Sequence, residues 1–106
     1  MSTVTSDSVA LRAALDAHRG ALEEILQRYG ATNPRLFGSV ARGDATADSD
    51  LDILVDLLPE GGNPLLRVAG IGEELTEVLE RRVDVVTAAL LRDEVSATAL
   101  ADAVPV

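Results

Sequence analysis

Two apolar runs, with an amphipathic segment between them, constrain the fold of this chain more than any other feature. Residues 50–58 (DLDILVDLL) and 83–87 (VDVVT) are rich in Leu, Ile and Val, which predicts two buried strands. Asn63 stands where a helix N-cap belongs and Pro64 at the first helical position, so we expect a helix that continues to about Arg81. This alternation predicts an α/β or α+β domain.

The rest of the sequence adds helices and short strands around this unit. We expect, in chain order, a helix from about Asp7 to Tyr29, a strand over 35–37, a helical turn over 39–43, an alanine-rich helix over 93–103 and a short edge strand over 104–106. Gly20 is a candidate break in the first helix, Gly30 is its candidate cap, and Asn33-Pro34 predicts a turn. The expected fold is a small mixed β-sheet covered by helices, with residues 1–106 in one domain.

Composition limits the classes of function. The net charge is -9, from 18 acidic and 9 basic residues, and such a domain repels phosphate backbones. We therefore expect no direct nucleic-acid binding; the charge suits a basic protein partner, a site for metal cations, or simple solubility. The chain has no cysteine, its N-terminal segment MSTVTSDS lacks the pattern of a signal peptide, and no apolar run is long enough to span a membrane. These features predict a cytoplasmic protein.

Three aspartates in the two predicted strands are the candidate catalytic and metal-binding residues. Asp50 and Asp52 lie two residues apart on one strand, so their side chains share a face. Asp84 is a single acid within the second apolar run. Aspartate is unfavourable in strands and costly beside apolar neighbours, so these carboxylates require either basic partners or metal ions.

The choice between these two alternatives favours metal. Neither strand contains a basic residue, although Arg81 and Arg82 flank the second. Magnesium prefers hard oxygen ligands, and two such ions can clamp the attacking and leaving oxygens of a phosphoryl or nucleotidyl displacement. Carboxylates alone leave the reaction open, since nucleases use them too. We interpret Asp56, on the same strand, as a surface residue.

A second motif, Gly38-Ser39, follows a predicted strand. Glycine permits close backbone approach, and free N–H groups with a serine hydroxyl can bind phosphate oxygens. The segment GSVARGD is not a P-loop, because Asp44 stands where that motif requires lysine. Alone, Gly38-Ser39 is more typical of an ordinary turn.

Together the two motifs are specific. Gly38-Ser39, followed after ten residues by Asp50-Leu51-Asp52 and by a third acid on a later strand, is typical of the polymerase-β-type nucleotidyltransferase superfamily. The segment LFGSVARGDATADSDLDILVDL more closely resembles the minimal nucleotidyltransferase (MNT) proteins, and so do GEELTEVLERRVDVVT and the C-terminal DAVPV. The resemblance extends over nearly the whole chain.

The resemblance implies a role for each matching residue. It implies Gly38 and Ser39 as ligands of the triphosphate, Asp50, Asp52 and Asp84 as ligands of two magnesium ions, and Arg42 as a phosphate or partner contact or a solvated side chain. Asp84 would also help to deprotonate the acceptor hydroxyl.

The resemblance also implies a function. MNT proteins of this size resemble the antitoxin of HEPN–MNT toxin–antitoxin pairs, which transfers AMP from ATP to a hydroxyl, typically of a tyrosine, on a HEPN ribonuclease toxin. We therefore expect an adenylyltransferase that forms a hetero-oligomer with such a toxin. The alternatives are an antitoxin that acts by docking alone, and an aminoglycoside-type nucleotidyltransferase that needs a second subunit.

Overall fold

The first helical region forms two helices in the computed structural model, which describes residues 5–38, 43, 45–46, 50–60, 62–87 and 104–106. They are α1 (Ser6–Ala17) and α2 (Arg19–Arg28). The predicted break at Gly20 was wrong, because the helix is interrupted at His18. His18 has φ -109° and ψ 24°, and its ring Nδ1 lies 2.9 Å from the carbonyl oxygen of Ala14, a backbone acceptor near the end of α1. The ring contact thus caps the C-terminal end of α1.

The next element, β1 (Ala31–Phe37), is longer than predicted and includes the expected turn at Asn33-Pro34. The two residues form a bulge, since the register with the neighbouring strand shifts between Thr32 and Arg35. Asn33 adopts a φ of 52°, and Pro34 has no N–H to contribute to the ladder. The turn residues therefore kink a strand that continues through them.

The remaining elements agree closely with the prediction. They are β2 (Leu51–Leu57), α3 (Pro64–Leu79), β3 (Val83–Thr87) and β4 (Val104–Pro105). The side chain of Asn63 accepts a hydrogen bond from the Leu65 N–H, which confirms the predicted cap, and Glu80 ends α3 in the left-handed conformation. The predicted helix over 93–103 and residues 39–42 of the predicted helical turn lie outside the described residues.

The four strands form one mixed sheet in the order β3-β2-β1-β4. β2 and β3 are parallel and are joined by α3, whereas β1 is antiparallel to both of its neighbours. The helices cover one face, and the buried core includes Leu11, Leu15, Leu22, Ile25, Leu26, Ala31, Leu36, Ala45, Leu51, Ile53, Val55, Val68, Ile71, Leu75, Val83 and Val85. The predicted fold class is confirmed.

Two glycines inside α3 allow other elements to approach it closely. A Cβ placed on Gly70 would lie 2.6 Å from Tyr29 Cε1, and one placed on Gly72 would lie 3.2 Å from the carbonyl oxygen of Val83. The helix is continuous through both positions. Their cost in helix propensity is therefore offset by close packing against α2 and β3. No helix in the described part of the chain has both the length and the apolar character needed to cross a membrane.

Candidate active site

The parallel pairing of β2 with β3 brings two of the predicted acids side by side. Asp52 lies opposite Asp84 in the register, between the core pairs Leu51–Val83 and Ile53–Val85. Because side chains alternate along a strand, both aspartates lie on the face opposite the helices. Asp52 is half-buried and Asp84 is exposed.

The third acid, Asp50, immediately precedes β2 and contacts a basic residue. Arg82 Nε lies 3.6 Å from Asp50 Oδ2, and the two side chains are 75% and 35% exposed. An ion pair this open to solvent contributes little to stability. In the sequence Arg82 only flanks the second strand, but one of the three acids does have the basic partner that the ion-pair alternative requires. Asp50 and Arg82 are close because of the register between β2 and β3, and this register cannot be read from the spacing of residues along the sequence.

Gly38 follows β1 at the same end of the sheet, directly against Asp52. Its φ is 73°, in the left-handed region, and a Cβ at this position would clash with the Asp52 carboxylate. Both the backbone conformation and the space therefore require glycine. The Gly-Ser motif predicted close approach of a phosphate to this residue; in the structure the neighbour is Asp52, one of the candidate metal ligands. Ser39 and Arg42, the other predicted nucleotide ligands, lie outside the described residues.

The donor chemistry of this site suits a divalent cation. Asp52 and Asp84 offer hard carboxylate oxygens from neighbouring strands, and magnesium typically binds one or two such groups together with waters and substrate phosphates. Within the described residues, however, no three acidic, histidine or cysteine side chains already converge as a metal-binding group. The pair Asp52 and Asp84 therefore offers the donor type that a divalent cation prefers, while Asp50 contacts Arg82.

The fourth acid of these strands, Asp56, has a different environment. It is exposed at the other end of β2, where its Oδ1 accepts a hydrogen bond from Arg35 Nη2 at 2.7 Å and its Oδ2 one from Asn33 Nδ2 at 3.1 Å. Asp56 is thus a surface residue with its own partners, as predicted, and is separate from the candidate site.

Comparisons with known proteins cover the part of the chain that carries this site. A family model described as "Nucleotidyltransferase domain" matches residues 18–105. The protein adenylyltransferase MntA of Thermococcus cleftensis is 38% identical over 90 residues, which are 85% of this chain and 86% of that protein. A Methanocaldococcus jannaschii protein described as a "putative protein adenylyltransferase" is 41% identical over 63 residues, 59% of this chain and 66% of its own length.

A solved structure shows the same similarity in three dimensions. It is described as a "putative minimal nucleotidyltransferase", and it superposes with a TM-score of 0.73 at 38% sequence identity. The match covers 89% of this chain and 94% of the other. Sequence and fold therefore point to the same set of relatives.

Proposed function

Since this chain belongs to the nucleotidyltransferase family, we propose that it transfers AMP from ATP to a hydroxyl group of a partner protein. The resemblance found in the sequence is confirmed, and the chain is a nucleotidyltransferase. The observation that carries the finer proposal is the register of Asp52 with Asp84, with Gly38 directly against Asp52. This arrangement places two hard ligands beside a backbone position that tolerates no side chain.

Each residue has a distinct part in the proposed reaction. The acceptor oxygen attacks the α-phosphorus of ATP, the bond from that phosphorus to the oxygen bridging the β-phosphate breaks, and pyrophosphate leaves. Asp84 accepts the hydroxyl proton, because it is the exposed member of the trio. Gly38 and Ser39 bind the triphosphate, with Arg42 as a further contact. Asp50, Asp52 and Asp84 would hold two magnesium ions, which offset the developing charge on the phosphate oxygens.

We propose a HEPN-type ribonuclease toxin as the partner and a tyrosine hydroxyl as the acceptor, so that the chain acts as an antitoxin. Two relatives carry names that describe a protein adenylyltransferase, which supports a protein acceptor. The net charge of -9 is complementary to the basic surface that an RNA-cleaving enzyme needs.

The test is AMP transfer by an Asp52→Asn variant. The chain is co-expressed with a HEPN-type ribonuclease and supplied with ATP and magnesium, and AMP-sized mass increments on that protein are measured. We expect Asp52→Asn to reduce the transfer rate by at least about 100-fold, because it removes a metal ligand. Asp56→Asn, which removes the same charge from the same strand outside the site, is the matched control and should transfer normally.

The alternative functions predict other results. If the toxin is neutralised equally well by Asp52→Asn without any mass increment, the chain acts by docking alone. If an aminoglycoside added without a protein partner acquires AMP, the acceptor is a small molecule. Normal transfer by Asp52→Asn would contradict the assigned site.

A further inference from the structure

The N-terminal end of α1 contacts the part of the chain that joins the two motifs of the candidate site. This linking segment, residues 39–49, begins after Gly38 and ends before Asp50, and the structure describes residues 43 and 45–46 of it. The sheet holds the chain at both ends of the linking segment, since Gly38 follows β1 and the Leu51 N–H donates to the carbonyl of Arg82 at 3.0 Å. The middle of the linking segment is held by contacts from outside the sheet.

Two side chains at the start of α1 form a closed ring of hydrogen bonds with the backbone of Ala45. The Thr5 hydroxyl donates to the Ala45 carbonyl at 2.6 Å, and the Ala45 N–H donates to Ser8 Oγ at 2.9 Å. Because the single hydroxyl hydrogen of Thr5 is used, the Ser8 hydroxyl is the donor to Thr5 Oγ1 at 2.8 Å. Ser8 and Ala45 are both 0% exposed, so water cannot replace a partner that is lost. We call this ring of three residues the α1 anchor.

Two further hydrogen bonds hold the residues on either side of Ala45. The Thr5 N–H donates to the carbonyl of Gly43 at 2.8 Å, and Arg81 Nη2 donates to the carbonyl of Thr46 at 3.1 Å. Arg81 lies in the short connection between α3 and β3. The middle of the linking segment is therefore joined to α1 and to the start of β3, and its backbone position is fixed at three places.

A fixed linking segment has a consequence for nucleotide binding. The proposed triphosphate ligands Ser39 and Arg42 belong to its first part, which has the end of β1 before it and the Gly43 contact after it. A ligand that must order a long free loop binds more weakly, because part of the interaction energy offsets the lost conformational entropy. Contacts that already hold the middle of the loop reduce this loss.

We infer that the α1 anchor positions the linking segment for the triphosphate of ATP, so that Thr5 and Ser8 raise the affinity for ATP through the backbone of Ala45. This inference rests on the proposed function and adds two positioning residues to it. Both residues precede residue 18, where the family match begins, so that match assigns them no role. If the α1 anchor only stabilised the fold, its loss would lower the amount of folded enzyme and leave the affinity of the folded fraction unchanged.

Nucleotide binding without any acceptor tests the α1 anchor separately from catalysis. The probe is an ATP analogue with a fluorescent group on its ribose, titrated in the presence of magnesium. Ser8→Ala removes the acceptor of the Ala45 N–H but keeps the cap in which Thr5 Oγ1 accepts from the Ser8 N–H at 3.1 Å. Thr5→Val removes a hydroxyl at equal side-chain size, and Thr5→Ser retains it. We expect Ser8→Ala and Thr5→Val to raise the Kd about tenfold and Thr5→Ser to stay within about twofold of the wild type.

A helix cap at the other end of the sheet provides the matched control. Asn63→Ala removes the side chain that accepts from the Leu65 N–H at 2.9 Å at the start of α3. It should lower stability in urea as the loss of a cap does, and it should leave the Kd for the analogue unchanged. Inorganic triphosphate, used as a competitor, should lose affinity in Ser8→Ala by the same factor as the analogue. Wild-type affinity in both Ser8→Ala and Thr5→Val, or an equal loss in Asn63→Ala, would overturn the inference.

The kinetics of AMP transfer separate positioning from simple stabilisation. We expect Ser8→Ala to raise KM for ATP about tenfold while kcat and KM for the acceptor protein are retained. A fall in kcat at unchanged KM would indicate less folded enzyme and would contradict the positioning role. If the analogue binds as described but no protein receives AMP, the proposed function fails and the α1 anchor stands. AMP transfer with equal ATP affinity in all variants has the opposite meaning, and a wild type that does not bind ATP contradicts both.

Discussion

At the scale of single residues, Gly38 combines an unusual backbone conformation with a close contact to the candidate site. Its positive φ and its contact with the Asp52 carboxylate are separate constraints, and both exclude a side chain. Gly30 meets both constraints as well, since its φ is 65° and a Cβ there would lie 2.6 Å from Arg67 Nη2, whereas Gly62 meets only the first. Gly62 has a φ of 92° but open space around it. The chain therefore contains its own control for distinguishing the backbone strain from the clash.

We predict that Gly38→Ala loses AMP transfer and is destabilised by more than Gly62→Ala. The second variant should cost about 1–2 kcal/mol of unfolding free energy, from its left-handed backbone alone. The first has the same backbone cost and also displaces the carboxylate of Asp52, a proposed metal ligand. Urea unfolding and the transfer assay measure the two effects. Equal activity of the two variants would show that the contact between Gly38 and Asp52 has no functional importance.

The role of a residue could be predicted when it depends only on neighbours in the same segment of sequence. An aspartate within an apolar strand is costly wherever the strand lies, so Asp52 and Asp84 could be identified from composition and spacing. The contact of Asp50 with Arg82 could not, because it depends on which strands pair and in which register. Asn33-Pro34 misled the prediction for a similar reason, since pairing on both sides of β1 holds these turn residues within a strand.

At the scale of elements, Arg67 joins α3 to the ends of α2 and β2. Its side chain is 5% exposed, and its guanidinium donates to the carbonyls of Tyr29 at 2.8 Å, Gly30 at 2.9 Å and Leu58 at 3.0 Å. These carbonyls follow the last turn of α2 and the end of β2. The charge is thus compensated by backbone dipoles, including the negative end of α2. In the sequence Arg67 looks like an ordinary solvated helix residue.

We predict that Arg67→Met destabilises the fold by about 2–4 kcal/mol, because three part-buried carbonyls lose the charged donor while the apolar stem is retained. Arg19→Met removes a 47% exposed arginine that pairs with Asp16, and it should cost less than about 1 kcal/mol. Chemical denaturation measures both. Similar losses in the two variants would contradict the special position of Arg67.

A second contact between α2 and α3 depends on pH. Hydrogen bonds from Tyr29 and from Arg28, whose Nη2 lies 2.6 Å from Glu74 Oε1, lower the pKa of Glu74 below its ordinary value of 4.5. The same contact raises the pKa of Tyr29. Because the folded-state pKa of Glu74 is lowered, its stabilising effect is fully present above pH 4.5 and is lost as pH falls through the folded value.

We therefore predict that Glu74→Gln is less stable than the wild type at neutral pH and that the difference shrinks as the pH falls below 4.5 through the lowered pKa of Glu74. Urea unfolding across this range provides the measurement. Glu77→Gln removes the same charge from the same helix without these hydrogen bonds, and its stability should stay close to that of the wild type. A difference for Glu74→Gln that is constant with pH would refute the assignment.

At the scale of the whole molecule, cation binding at the acidic site should change the stability of the fold, and the net charge of -9 favours such binding. A cation that binds the folded chain at Asp52 and Asp84 stabilises it, by about 2.7 kcal/mol at a concentration of 100 Kd. We predict that MgCl₂ raises the thermal midpoint more than NaCl of equal ionic strength, that Asp52→Asn removes the excess, and that Asp56→Asn retains it. An excess that survives in Asp52→Asn would place the cation elsewhere.

The overall architecture was more predictable than the detailed packing. Apolar periodicity, the Asn63-Pro64 start signal and the short strands are local features, and they correctly predicted the mixed sheet and the helical regions that the structure describes, within residues 6–28 and 64–79. The helix break at His18 and the close approach of Tyr29 to Gly70 depend on side-chain contacts that periodicity does not encode. The alternation of side chains predicted that Asp50 and Asp52 share a face of the sheet. It did not predict which residues would contact each of them there.

The parallel pairing of β2 with β3 has a consequence for the order of folding. An antiparallel hairpin can form through a short connection, but parallel strands meet only after the intervening helix has crossed over the sheet. Asp52 and Asp84 therefore come together only when α3 is in place and the core beneath it has closed. A newly synthesised chain in which α3 has not yet packed contains all the aspartates, but Asp52 and Asp84 are not yet side by side. The ability to transfer a nucleotide then arises only with completion of the fold.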